Sequence, residues 1–125
     1  MDLPEDLKYT ENHEWIKVEG KNARVGISDH AQKELGDIVY VELPMAGDQV
    51  AQGENLAVVE SVKSVSDVYA PVDGEVVEVN EELQEAPEII NESAYGEGWF
   101  VVIQLDKPEQ VDSLLTPQDY KSQVE

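Results

Sequence analysis

A mainly β fold, a small barrel or sandwich of short strands with short helices at its flanks, is predicted by three features of the sequence. Val-rich runs such as Leu56–Val62, Val65–Tyr69 and Glu75–Val79 recur between Gly, Pro and Asp punctuation from Gly47 onward. A further unbroken strand-like run, WFVVIQL, spans Trp99–Leu105. Apolar residues make up 41% of the chain and fall in clusters, with Trp15, Trp99 and Phe100 available for a core, which argues against disorder despite the high charge.

In chain order, Glu14–Val18 and Asn22–Ile27 read as two strands joined by a hairpin at Gly20-Lys21. Ser28 is placed to cap a short helix over Asp29–Leu35, and Gly36 to end it. Asp37–Leu43 is the next strand, closed by Pro44. Lys63-Ser64 separates the strands Leu56–Val62 and Val65–Tyr69. Pro71 with the Asp73-Gly74 pair then reads as a turn into Glu75–Val79. After the last strand, Glu109–Leu115 is a candidate helix. Thr116-Pro117 has the form of an N-cap with proline at the first helical position, opening a C-terminal helix over Gln118–Val124. A chain of 125 residues with no linker or shift of composition reads as one domain, 1–125.

Composition narrows the function classes. There are 28 Asp and Glu against 8 Lys and Arg, a formal net charge of −20. Such a surface repels nucleic acid and anionic lipid and favours basic protein partners, with association that weakens in salt. With no cysteine, disulfide and thiol chemistry are excluded. The opening MDLPEDLKYT has neither a signal-peptide apolar run nor the Arg-rich character of a transit peptide, and no stretch approaches a membrane span. The expectation is a bacterial cytoplasmic protein, or a mitochondrial matrix protein if the chain is a processed eukaryotic form.

Lys63 is the only Lys or Arg between Lys33 and Lys107, an interval that holds 17 acidic residues. Its near neighbours Glu60 and Asp67 stabilise an ammonium in place, which opposes the low pKa a catalytic amine needs. Gly53 lies ten residues before it and Gly74 eleven after. A tip of this kind displays a side chain to other proteins on a firm support. His13 and His30, the only histidines, have no metal-binding or triad context and read as structural or surface residues. Nor is there a Walker A or GxGxxG pattern.

The run Val59-Glu60-Ser61-Val62-Lys63-Ser64-Val65-Ser66-Asp67, with Tyr69-Ala70-Pro71 and Gly74, resembles the lipoylation site of the glycine cleavage system H-protein family. Other pieces agree in order: His13-Glu14-Trp15, Val25-Gly26-Ile27, Ala31-Gln32, Leu35-Gly36-Asp37, Val41-Glu42-Leu43-Pro44, Val79-Asn80, Asn91-Glu92-Ser93, Tyr95 and Gly98-Trp99. The resemblance covers about residues 7–121. It implies a barrel-sandwich hybrid with a lipoyl-like core at about 20–105 and a C-terminal helical segment at about 108–125. It also implies lipoic acid in amide linkage on Lys63, in a monomeric carrier that is not itself an enzyme. The implied partners are a pyridoxal-phosphate (PLP) dependent glycine decarboxylase, a tetrahydrofolate-dependent aminomethyltransferase and dihydrolipoamide dehydrogenase. A lipoate ligase or a lipoyl or octanoyl transferase would attach the group. The aminomethyl cargo passes from the first enzyme to the second, and the third reoxidises the dithiol. In the family a surface cleft shelters the loaded arm near equivalents of Glu14 and Asp67, and Asn12 stands where some relatives have serine.

Rival carriers fit the residues less well. A biotinyl domain would place Met on both sides of the lysine, where this chain has Val62 and Ser64; 2-oxo acid dehydrogenase domains present Asp-Lys-Ala. The sequence also admits a lipoate-relay protein of the same family, an acidic interaction module with an unmodified lysine, and an enzyme using Lys63.

Overall fold

The computed structural model describes residues 3–124; positions 1, 2 and 125 of the expected domain lie outside the described residues. The strands run β1 (Lys8–Tyr9), β2 (Glu14–Glu19), β3 (Asn22–Ile27), β4 (Ile38–Glu42), β5 (Gln49–Val50), β6 (Asn55–Ser61), β7 (Val65–Tyr69), β8 (Gly74–Val79) and β9 (Val101–Leu105). Helix α1 (Asp29–Leu35) follows β3. The one-turn helices α2 (Glu82–Glu85) and α3 (Ile89–Glu92) precede β9, and α4 (Pro117–Val124) is the last element.

Two antiparallel sheets result. One has the order β1-β2-β3-β9-β8-β5 and the other β4-β6-β7. Between them lies one apolar core, to which Ile16, Val25, Phe100, Val101 and Ile103 contribute from the first sheet side and Ile38, Val41, Val59 and Val68 from the second. Leu83 of α2 and Ile90 of α3 complete it. This is the expected mainly β, barrel-sandwich arrangement with short helices, including one at the C-terminus. Along β2 the side chains alternate between faces. Ile16 enters the main core, while Trp15 joins Leu7, Tyr9 and Tyr120 in a second cluster beneath α4.

The local signals explain most elements. Gly20, with φ 67°, supplies the positive φ at the first position of the β2–β3 loop, where Glu19 pairs with Asn22. The Ser28 hydroxyl accepts the Ala31 N–H, and Gly36 ends α1 with φ 79°. The Thr116 hydroxyl accepts the Asp119 N–H at the start of α4, as an N-cap should.

Three expectations are corrected. Glu109–Leu115 is not an α-helix: Pro108–Ser113 forms a 3-10 helix, a segment too short for an α-helical core face. Gly74 lies inside β8 rather than in the turn before it. A Cβ there would collide with the Gln104 carbonyl oxygen, so close strand approach, not turn conformation, requires glycine. The final strand begins at Val101, two residues beyond Trp99. Trp99 instead lies partly buried beneath the Arg24 guanidinium, 4.8 Å from its ring centroid.

Candidate functional site

Lys63 occupies the tip of the β6–β7 hairpin and is exposed. The Ser61 N–H donates to the Ser64 carbonyl at 2.8 Å, enclosing the two-residue loop Val62-Lys63. Both loop residues keep negative φ, since His13 is the only non-glycine with positive φ among the described residues. The loop is therefore not one of the primed turns that hairpins favour, and an unprimed turn needs help to hold its strands together. Ser61 provides it. Its hydroxyl oxygen accepts the Ser64 N–H (3.1 Å) and the Lys63 N–H (3.3 Å), and its proton goes to the Ser64 carbonyl (3.3 Å). The Val62 N–H donates to the Asp37 carbonyl at 3.0 Å, tying the tip to the loop after α1.

The Lys63 stem lies along that loop: its Cε sits 3.5 Å from where a Cβ on Gly36 would be. Neither Glu60 nor Asp67 forms an ion pair with the ammonium among the described residues. Asp67 instead accepts the Asn55 side-chain amide at 2.9 Å. Around the tip, Val39, Tyr40, Val62 and Val65 are exposed apolar side chains.

Leu35, the residue before Gly36, is also where a cleft of ≈ 320 Å³ begins. One wall is Asn12, His13 and Glu14, leading into β2; another is His30, Ala31, Glu34 and Leu35 of α1; the third is Ser66, Asp67 and Val68 of β7. All three arm-cleft candidates, Asn12, Glu14 and Asp67, thus line one cavity on the α1 side of the hairpin. Asn12 and Asp67 are exposed at its rim, whereas Glu14 is 2% exposed.

Burial sets Glu14 apart from the acidic surface. Its Oε1 accepts the Thr10 hydroxyl at 2.5 Å and its Oε2 the Tyr69 N–H at 3.1 Å. Burial pushes its carboxyl above the usual range, and the two hydrogen bonds pull the other way. Each oxygen keeps a lone pair beyond these bonds, so the group can accept a further donor from the cleft.

Behind the cleft runs a chain of short hydrogen bonds. His13 Nδ1 lies 2.7 Å from the Tyr120 hydroxyl, which lies 2.7 Å from the Ser28 hydroxyl. Ser28 is fully buried and its oxygen already accepts the Ala31 N–H. Its proton is satisfied only by donating to Tyr120, whose own proton then goes to His13 Nδ1. The reverse direction orphans a buried hydroxyl proton, at about 1–3 kcal/mol. The network thus assigns the His13 proton to Nε2. Burial pushes the Tyr120 phenol up to about 12, helped by nearby Tyr95 and Glu14, against the lowering effect of the Ser28 hydrogen bond, so it remains a donor. Burial, and then the neighbouring His30, hold His13 below its ordinary value, with Glu34 acting oppositely.

A family model described as glycine cleavage H-protein matches residues 7–125. The chain belongs to the glycine cleavage H-protein family. Over 125 residues it is 58% identical to the glycine cleavage system H protein of Xanthomonas campestris pv. campestris, covering 99% of this chain and 95% of that one. The H protein of Halothermothrix orenii is 55% identical, covering 100% and 98% respectively. The crystal structure of an H protein from Mycobacterium marinum superposes with a TM-score of 0.90 at 41% identity, covering 98% of each chain. H proteins are the lipoyl carrier component of the glycine cleavage system.

Within this H-protein fold, some site residues escaped the sequence. His13 and His30, read as structural or surface residues, both line the cleft with rings 5.0 Å apart. Thr10 and Tyr120 carried no motif. The β2–β3 register, which pairs Glu14 with Ile27, sets His13 opposite Ser28, but their common partner Tyr120 lies 107 positions from His13.

Proposed function

We propose that the chain is a non-catalytic carrier whose Lys63 Nζ forms an amide with lipoic acid. The observation that carries the reading is Lys63 itself. It is exposed, outside every ion pair among the described residues, at a tip braced by Ser61 in a chain of this family. Its stem is directed along Gly36 beside the cleft. The residues present fit the group: an accessible primary amine for the linkage, and a cleft whose carboxylates Glu14 and Asp67 and amide Asn12 can hold a cationic amine. When bound, the dithiolane supplies the sulfur chemistry and the disulfide–dithiol couple that no side chain of this cysteine-free chain provides.

The chain's own residues do the positioning. Amide formation removes the positive charge of Lys63, so the arm carries no ammonium to pair with the surrounding acids. Glu14, desolvated and already oriented by Thr10 and Tyr69, pairs with a cation more strongly than an exposed carboxylate would. Asp67, at the rim, keeps the entrance negative.

The partners follow as the PLP-dependent glycine decarboxylase, the aminomethyltransferase and dihydrolipoamide dehydrogenase, with a lipoate ligase or lipoyl or octanoyl transferase for attachment. The exposed valines and Tyr40 around Lys63, in an acidic surround, suit mouths that are apolar with a basic rim. The setting is the bacterial cytoplasm or, for a processed eukaryotic form, the mitochondrial matrix; among the described residues no helix is long and apolar enough to cross a membrane. Residues 1–125 act as one monomeric carrier domain.

Two measurements test this. The intact mass of protein from lipoate-replete cells is expected to show one lipoyl amide, absent from Lys63→Arg. Glycine–bicarbonate carbon exchange with a purified decarboxylase is expected to require the lipoylated form. A Lys63→Arg protein that fully supports exchange would refute the assignment.

A further inference from the structure

We propose that Tyr120, which lines no part of the cleft, is a positioning residue for it: its hydroxyl ties His13 on one wall to Ser28 at the head of the other and keeps the His13 imidazole neutral. The cleft then admits a cationic group only while that relay is intact. The proposal rests on the reading that cationic cargo lodges between Glu14 and Asp67.

Three observations carry it. His13, the only non-glycine residue at positive φ among the described residues, adopts φ 74°, which fixes the direction in which its imidazole leaves the backbone. The backbone around it is firmly fixed: its N–H donates to the Thr10 carbonyl and its carbonyl accepts the Ser28 N–H at 2.8 Å. Tyr120 is fully buried and stacked on Tyr9, ring centroids 4.7 Å apart and 7° from parallel, so its hydroxyl has little freedom to choose other partners.

The relay and a protonated His13 are mutually exclusive. An imidazolium carries a proton on Nδ1 as well, so Tyr120 would have to turn its proton to Ser28, and the buried Ser28 proton would lose its acceptor. The charged and titratable groups around His13 are His30 and Glu34 from α1, Tyr120 from α4, Glu14 from β2 and, across the cleft, Asp67 from β7. His30 lies 3.8 Å from Glu34, which can balance one imidazolium but not two. Stability owed to neutral His13 is fully present above its ordinary value of 6.5. It is lost as pH falls through its lowered folded value. Acid thus places a positive charge on the wall beside Glu14 and disturbs the cap of α1 at once. The C-terminal helix acquires a role in cargo retention without touching the cargo.

The test has two independent arms. In ¹⁵N-labelled apoprotein, long-range imidazole correlations are expected to show His13 as the Nε2–H tautomer. Tyr120→Phe is expected to mix the tautomers and raise the His13 midpoint toward 6.5. In lipoylated protein loaded by the decarboxylase, the amide shifts of Glu14 and Asp67 report lodging. Wild type is expected to lodge at about pH 7.5 and to fall on the order of tenfold in occupancy once the pH drops below the His13 midpoint measured in the first arm, a modest figure for one charge set beside another in a half-buried cleft. Tyr120→Phe is expected to lodge less well already at the higher pH. His13→Asn, which tolerates the same backbone and cannot titrate, is expected to lose the share of the pH dependence owed to His13, leaving only the weaker fall owed to the Glu14 carboxyl, and serves if Tyr120→Phe fails to fold. An unchanged tautomer in Tyr120→Phe, or pH dependence intact in His13→Asn, overturns the relay while leaving the carrier reading standing. No shift at Glu14 or Asp67 in loaded wild type at any pH overturns both.

Discussion

Gly26→Ala is expected to be among the most damaging single-methyl changes in this chain. Gly26 pairs with Trp15 across β2 and β3. A Cβ built on it falls 2.6–2.7 Å from three atoms of the indole, Cε2, Cζ2 and Nε1. Carbon atoms in good contact sit at about 3.5–4.0 Å, so the ring must retreat by roughly 1 Å. It has nowhere to go, because Trp15 is 1% exposed and its Nε1–H donates to the Ala94 carbonyl at 2.9 Å. Overpacking of this kind costs about 1–3 kcal/mol. A buried indole N–H pulled off its acceptor adds about 1–3 kcal/mol more. The total is about 2–6 kcal/mol, which for a chain of this length lowers Tm by roughly 8–23 °C. Thermal melts followed by near-UV circular dichroism measure the loss, and the indole N–H resonance reports whether its bond to Ala94 survives. Because Trp15 adjoins Glu14, the amide shifts of the cleft should move too. A variant within about 2 °C of wild type, with its indole N–H unchanged, would sink the reasoning that contact rather than conformation demands glycine here.

Ser61→Ala removes the side-chain bonds that hold the Lys63 turn. Because they are long and exposed, global stability is expected to fall by less than about 1 kcal/mol while hydrogen exchange at Lys63 and Ser64 speeds up; unchanged exchange would contradict the bracing role. Asn91 accepts the Ile38 N–H and donates to the Gln32 side chain and the Gly36 carbonyl, each at 2.9 Å. Asn91→Ala is therefore expected to cost about 2–4 kcal/mol in urea denaturation, with the largest shifts at the α1–β4 loop beside Lys63; a loss under about 1 kcal/mol would show the bridge to be redundant. The raised Glu14 carboxyl makes the native state bind more protons than the unfolded chain from pH 4.5 up to its folded value. Its stabilising contribution is present below 4.5 and lost as pH rises through that window, so the stability of wild type relative to Glu14→Gln should decline across it. Parallel curves for the two proteins would deny Glu14 a raised value.

What could be read from the sequence was local. Ser28 and Gly36 announced α1 because a cap hydroxyl and a positive-φ glycine act within one turn of the chain. The Lys63 hairpin was legible because its strands are long and Val-rich. The two-residue strands β1 and β5 carry no periodicity at all, and α2 and α3, one turn each without side-chain caps, are held by packing of Leu83 and Ile90 rather than by propensity. Asp73-Gly74 imitated a turn signal, although its glycine answers to a carbonyl on a neighbouring strand. In the site, Lys63, Glu14 and Asp67 were expected from resemblance, while a hydrogen bond that orients the buried Glu14 comes from Tyr69, 55 positions away. His13, without metal or triad context, looked idle because its partner Tyr120 arrives from the far end of the chain.

The turn beneath Lys63 is held by Ser61, Ser64 and Asp37, and none of those bonds uses the lysine side chain. Assembly of the scaffold is consequently blind to what the amine bears. On the proposed carrier reading, the unmodified chain can accumulate as a finished pool, and an attaching enzyme would meet a completed surface rather than a nascent one. Bare and acylated forms are expected to unfold alike at neutral pH, so supply of the attached group alters how many molecules are competent without altering how many survive.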